Sequence, residues 1–118
     1  MRFALTGKNV RLPDDLRTLI ERRFDFALGR FSDMVERVDV ALADVNGPRG
    51  GLDKVCRVNV TMRGLADVSV EQRDSEVPAA ATRAADRVGR AVARALVRRR
   101  QLPRYQRRRD DREQPTTD

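Results

Sequence analysis

Between Ala79 and Leu96 the chain is almost nothing but alanine, valine and arginine, and this stretch constrains the fold more than any other. Ala81, Ala84, Ala85, Val88, Ala91, Val92, Ala95 and Leu96 recur at three- and four-residue spacing, which draws one apolar stripe along a helix. Arg83, Arg87, Arg90, Arg94 and Arg98 recur at spacings of four, three, four and four, so five guanidinium groups line a second face. From Arg83 to Arg109 there are eleven arginines and one acid, Asp86, whereas the rest of the chain holds 14 bases against 17 acids. The whole excess of positive charge is therefore gathered on this helix and the residues after it. A row of like charges repels itself unless a polyanion lies along it, and solvated helix faces ordinarily mix signs. Nucleic acid is the partner this pattern points to.

The elements before it follow from periodicity. Phe3 and Leu5 alternate with polar neighbours from Arg2 to Thr6, a short strand ended by Gly7-Lys8-Asn9. Leu12-Pro13-Asp14-Asp15 starts a helix, with Pro13 suited to the first helical position and two carboxylates where the amide dipoles favour negative charge. Leu16, Leu19, Ile20, Phe24, Ala27, Leu28 and Phe31 form its buried stripe. Arg22, Phe26 and Arg30 make an outer line with Arg23 beside it, Gly29 weakens the last turn, and Ser32-Asp33 ends it. From Val35 to Asp44, Val38, Val40 and Leu42 face one way and Arg37, Asp39 and Ala41 the other, a half-buried strand. Asn46-Gly47-Pro48-Arg49-Gly50-Gly51 reads as an exposed hairpin loop. The next strand turns Cys56, Val58, Val60 and Met62 inward and Arg57, Asn59, Thr61 and Arg63 outward. Arg63-Gly64 is a tight turn into a last strand with Ala66, Val68 and Val70 inward, and the arginine helix closes the domain.

The expected fold is α+β in the order β-α-β-β-β-α. A strand–helix–strand opening implies a right-handed crossover and parallel pairing of the first two strands, so the four-stranded sheet is mixed. Each helix has one apolar stripe and the strands one apolar face, which packs both helices on one side of the sheet and leaves the other in water. A chain of 118 residues holds one such domain, over residues 1–102. Past Leu102-Pro103 almost no apolar residue remains, so residues 103–118 are expected to form a disordered basic and polar tail that adds non-specific phosphate attraction.

Chemistry is constrained by what the residues do not offer. No histidine is present, which removes the commonest general base and metal ligand. Cys56, the single cysteine, sits mid-strand on the inward face, so neither a disulfide framework nor a thiolate metal cluster is expected. The glycines at 47, 50 and 51 do not open a helix after a strand and are not a phosphate-cradling loop. Asp14 and Asp15 are explained by the helix start, and Asp110-Asp111 fall in the tail. No catalytic residue, cofactor, metal or small-molecule substrate is expected. The N-terminus has no apolar run of signal-peptide length and no stretch approaches a membrane span, which makes a cytoplasmic protein the expectation. The bases are 23 arginines and two lysines; arginine suits bidentate contact with phosphate, and the bias follows equally well from genome composition.

Two features stay open at this level. Glu21 and Asp25 sit near Arg22, Arg23 and Arg30, so those bases either bind a partner or simply pair with the acids. Phe26 is either a stacking surface for a base or a partly covered phenylalanine. No aromatic pair sits on a strand, so readout would go through helices to the backbone shape and charge of structured RNA.

With these residues in place the sequence resembles the short form of the ribosome hibernation promoting factor / ribosome-associated inhibitor A family, sigma-54 modulation protein-like. The resemblance runs over about residues 2–100 and rests on Thr6-Gly7-Lys8-Asn9-Val10, Leu16-Arg17, Glu21-Arg22-Arg23-Phe24, Val38-Asp39-Val40-Ala41-Leu42 and Asp86-Arg87-Val88-Gly89-Arg90-Ala91-Val92. It implies a fold similar to double-stranded RNA-binding domains. It implies a non-enzymatic partner of the small ribosomal subunit that occupies the channel of mRNA and tRNA anticodon arms, blocks initiation and stores idle ribosomes in stationary phase or stress. Carried over by position, Lys8, Arg22, Arg23, Arg87, Arg90 and Arg94 are the candidate rRNA contacts, to which the charge pattern adds Arg30, Arg83 and Arg98. The free protein is expected to be a monomer. Four features depart from the family pattern: Phe26 and Gly29 stand where lysine is frequent, Ser75-Glu76-Val77-Pro78-Ala79-Ala80 replaces its usual last-helix start, the hairpin Asn46 to Gly51 is rich in glycine and proline, and the extra C-terminal domain of long forms is not expected. Rival readings are a general structured-RNA or DNA binder and a protein-interaction module using the outer sheet face at Arg37, Asp39, Arg57, Asn59 and Thr61.

Overall fold

The computed structural model describes residues 1–45 and 52–101, so the expected hairpin loop at 46–51 and the expected tail at 103–118 lie outside the described residues. Strands β1 (Arg2–Lys8), β2 (Val35–Asp44), β3 (Lys54–Met62) and β4 (Val68–Asp74) form one sheet in the order β1-β2-β3-β4. β1 pairs parallel with β2, and the other two pairings are antiparallel. Helix α1 (Asp14–Leu28) makes the crossover and α2 (Val77–Gln101) follows β4. This is the α+β arrangement that the periodicity implies.

The register fixes how the helices run. Lys8, Ala43, Val55 and Arg73 lie side by side across the sheet, so β1, β2 and β4 all finish at one end. Both helices start from that end and travel back over the same sheet face in the same direction. They meet where Gly89 faces Ala27: a Cβ built on Gly89 would sit 3.1 Å from the Ala27 carbonyl oxygen. Val38, Val40, Leu42, Cys56, Val58, Val60 and Met62 from the sheet meet Ile20, Phe24 and Leu28 of α1 and the alanine–valine stripe of α2 in one buried cluster. Gly89 on α2 and Ala27 on α1 are what let the helices approach so closely, and the alanines of the α2 stripe leave a core with few large side chains. Phe24 supplies the largest, with the Phe3 ring tilted against it at 5.9 Å.

Three local expectations are corrected. Pro13 is the N-cap, with extended backbone at φ −64° and ψ 162°, and the helix proper begins at Asp14. Leu19 is 42% exposed, because the α1 stripe that reaches the sheet runs through Ile20 alone at that level. Ala66 is exposed and lies before β4, since the chain needs Arg63 to Asp67 to reverse, with Gly64 in the left-handed region at φ +70°. The last turn of α1 gives way at Gly29 as expected, to a 3-10 turn at Gly29–Phe31 that closes on Ser32.

Candidate nucleic-acid interface

α2 presents Arg83, Arg87, Arg90, Arg94 and Arg98 as exposed side chains on one face. At about 100° per residue they fall within an arc of about 80°, and at a rise of 1.5 Å per residue they span about 22 Å. The row is not uniform. Arg87 Nη1 donates to the Glu71 carbonyl at 2.6 Å and to the Gln72 Oε1 at 3.0 Å, so this guanidinium is strapped to β4. Arg83 Nε lies 3.6 Å from an Asp74 carboxylate oxygen. Asp74 is largely buried, and its other oxygen accepts from the Ser75 and Glu76 amides at 2.7 and 3.3 Å just ahead of α2. Arg90, Arg94 and Arg98 have no such partner among the described residues. Arg99 turns away from the row and donates to the Gly64 carbonyl, pinning the end of α2 to the β3–β4 turn.

α1 runs alongside with Arg22 and Arg23 exposed, and Arg30 is exposed in the 3-10 turn that follows it. Among the described residues, Arg22 and Arg23 make no ion pair with Glu21, Asp25 or any other acid, so the simple pairing reading is not realised. The Arg30 guanidinium sits 4.6 Å from the centre of the Phe31 ring, a cation–π contact that holds it in place. Phe26 is 87% exposed, which answers the second open question: the ring is uncovered. A groove of about 410 Å³ between the helices is lined by Phe26, Ala27, Arg30, Asp86, Gly89 and Arg90. It brings the outer line of α1 together with the middle of the α2 row. Lys8 is exposed at the end of β1, three strands and about 14 Å from β4, and stands apart from that groove.

The outer sheet face has the opposite character. Arg37 pairs with Asp39 at 2.8 Å, Arg57 with Glu71 at 2.9 Å, and Arg73 with the other Glu71 oxygen at 3.6 Å. The hydrogen bond from Arg57 holds the Glu71 carboxyl below its usual range. Asn59 donates to Asp67 at 3.0 Å and accepts from Ser69. A shallow groove of about 500 Å³ over this face has Asp39, Arg57, Asn59, Ser69 and Glu71 in its lining, each already in an ion pair or a side-chain hydrogen bond. Lys54, paired with Asp53 at 2.9 Å and Asp44 at 3.4 Å, has its pKa raised chiefly by the Asp53 hydrogen bond.

No cluster of three or more His, Cys, Asp or Glu side chains among the described residues is placed to hold a metal ion. Burial pushes the Cys56 thiol up to about 12, which leaves it protonated and inert at neutral pH. No helix of the described residues is long and apolar enough to cross a membrane.

Residues 3–100 match the family described as sigma 54 modulation protein / S30EA ribosomal protein. The chain belongs to that family. It is a family of ribosome-associated factors and not of enzymes. Among solved structures, the N-terminal domain of Protein Y from Thermus thermophilus shares 28% identity with a TM-score of 0.65, over 80% of this chain and 98% of that one. A ribosomal subunit interface protein from Coxiella burnetii matches the fold with a TM-score of 0.65 at 16% identity, over 80% of this chain and 96% of that one. No curated protein matches the sequence. As a member of the S30EA family, the chain carries the family's fold with its two helices exposed side by side and its sheet face internally neutralised.

Proposed function

We propose that this protein lays its two-helix face on the rRNA of the small ribosomal subunit. There it fills the channel of mRNA and tRNA anticodon arms and keeps ribosomes idle in stationary phase or stress. The observation that carries the reading is the contrast between the two faces. On the sheet face the charged side chains that meet are paired, whereas on the helix face Arg22, Arg23, Arg90, Arg94 and Arg98 are exposed without a carboxylate. Unpaired guanidinium groups in rows release counterions when they meet phosphate, which is a large share of affinity for RNA. Family membership supplies the ribosome as the RNA.

In this reading Arg90, Arg94 and Arg98 with Arg22, Arg23 and Arg30 are the principal rRNA contacts, and Arg83 and Arg87 contribute from a row partly committed to β4. Lys8 is a separate contact at the far edge. Residues 1–102 form the binding unit, the chain acts in the cytoplasm as a free monomer before binding, and inhibition is steric competition with tRNA and mRNA. The test is sedimentation with purified small subunits at moderate salt. Arg90→Glu combined with Arg94→Glu abolishes co-sedimentation while far-ultraviolet circular dichroism and the melting temperature stay at wild-type values. Unchanged co-sedimentation would sink the assignment.

A further inference from the structure

We infer that Phe26 is a stacking platform for an unpaired RNA base, so that the helix face reads a bulged or looped nucleotide as well as backbone charge. The inference rests on the RNA-facing reading above and goes beyond it. A phenylalanine 87% exposed beside unpaired guanidinium groups is an apolar ring left uncovered where a partner is expected. Its surroundings select the occupant. The groove floor is made of small residues, Ala27 and Gly89, with Arg30 and Arg90 as its cationic walls. Asp86 also lines it, with no ion pair to either arginine. A phosphate would be repelled by that carboxylate, whereas a neutral base presents N–H donors to it and a π-face to the ring. The arginines then take the phosphates on either side, and Arg30 is already held for this by Phe31. Duplex RNA keeps its bases stacked inside and cannot supply that contact.

The experiment is a ladder of substitutions at a site too exposed to disturb folding. Phe26→Ala lowers affinity for purified small ribosomal subunits about tenfold, as expected for one base–aromatic stack. Phe26→Leu loses nearly as much, because it keeps apolar area without a π-face, and Phe26→Tyr binds as wild type. Wild-type affinity in Phe26→Ala would overturn the inference. So would full rescue by Phe26→Leu, which would mark an apolar contact with protein. Failure of the ribosomal reading shows separately, as wild-type protein that does not sediment with subunits. The site is then read on short RNAs, using Phe26→Trp as the only tryptophan in the chain. Quenching by an unpaired strand and not by a duplex upholds the platform; no quenching by either removes it.

Discussion

Two glycines are expected to respond to the same substitution with opposite sign. Replacing glycine by alanine in an exposed helical position gains about 1 kcal/mol from reduced backbone entropy in the unfolded chain. Gly29 has right-handed helical backbone at φ −57° and ψ −38°, and an added Cβ meets nothing within 4 Å. Gly29→Ala therefore stabilises by about 0.5–1 kcal/mol. At Gly89 the same Cβ lies 3.1 Å from the Ala27 carbonyl oxygen and 3.3 Å from the Ala27 Cβ. The obstacle is the α1 backbone, which cannot rotate away as a side chain would. α1 is itself seated on the sheet through Ile20, Phe24 and Leu28, none more than 1% exposed. Overpacking of that kind costs about 1–3 kcal/mol, so after the helix gain is subtracted Gly89→Ala destabilises by about 1 kcal/mol. The two variants should differ by about 2 kcal/mol, or about 10 °C in Tm for a domain of this size. Urea unfolding followed by circular dichroism measures both, with unchanged m-values confirming that stability alone has moved. Equal gains in the two variants would refute the reasoning, because they would mean the helices part at no cost.

The split within the arginine row has a signature in salt. Arg90→Ala and Arg94→Ala should each reduce the slope of log K against log salt by about 1 for binding to small subunits, with smaller changes for Arg83→Ala and Arg87→Ala. An equal change at all four positions would contradict the split. In stability the order reverses: Arg87→Ala loses two hydrogen bonds to β4 and costs about 1 kcal/mol, while Arg94→Ala stays within about 0.5 kcal/mol by chemical denaturation. Cys56 gives a pH test. Its folded pKa of about 12 lies above its ordinary value of 9.0, so the folded state keeps a proton that the unfolded chain releases. The stability of wild type relative to Cys56→Ala is fully present below pH 9.0 and is lost as pH rises toward about 12. Between roughly pH 8 and pH 10 the difference should shrink by about 1 kcal/mol, and a constant difference would show that the thiol is not desolvated.

The architecture was legible because both periods are clean here. β2 alternates covered and exposed residues from Arg37 to Leu42 and β3 from Cys56 to Met62, and the α2 stripe repeats through five turns, so element order, facing and parallel β1–β2 pairing follow from pattern and handedness. The errors fall where local pattern is ambiguous. Leu19 and Ile20 are adjacent and equally apolar, and only the width of the contact with the sheet decides that one stays wet. Ala66 continues the alternation of β4 backward through a turn, and a residue so small carries little signal of facing. Within the candidate interface, the five-arginine row was visible as spacing, whereas its division was not. Arg87 meets Glu71 and Gln72 sixteen and fifteen residues away, and no local period encodes such a meeting. The exposure of Phe26 likewise depends on where α2 stops covering α1, which is a property of the packed pair.

The strap from Arg87 to the Glu71 carbonyl also bears on solubility. β4 is a terminal strand of the sheet, and the outward peptide groups of such a strand are a template for a further strand from another molecule. A guanidinium laid on the middle of that border occupies an acceptor and places a positive charge where an incoming chain would dock. Removing it would leave the fold standing but its flank adhesive. Self-association at high concentration, seen as concentration-dependent light scattering, would then accompany any loss of RNA affinity in Arg87 variants.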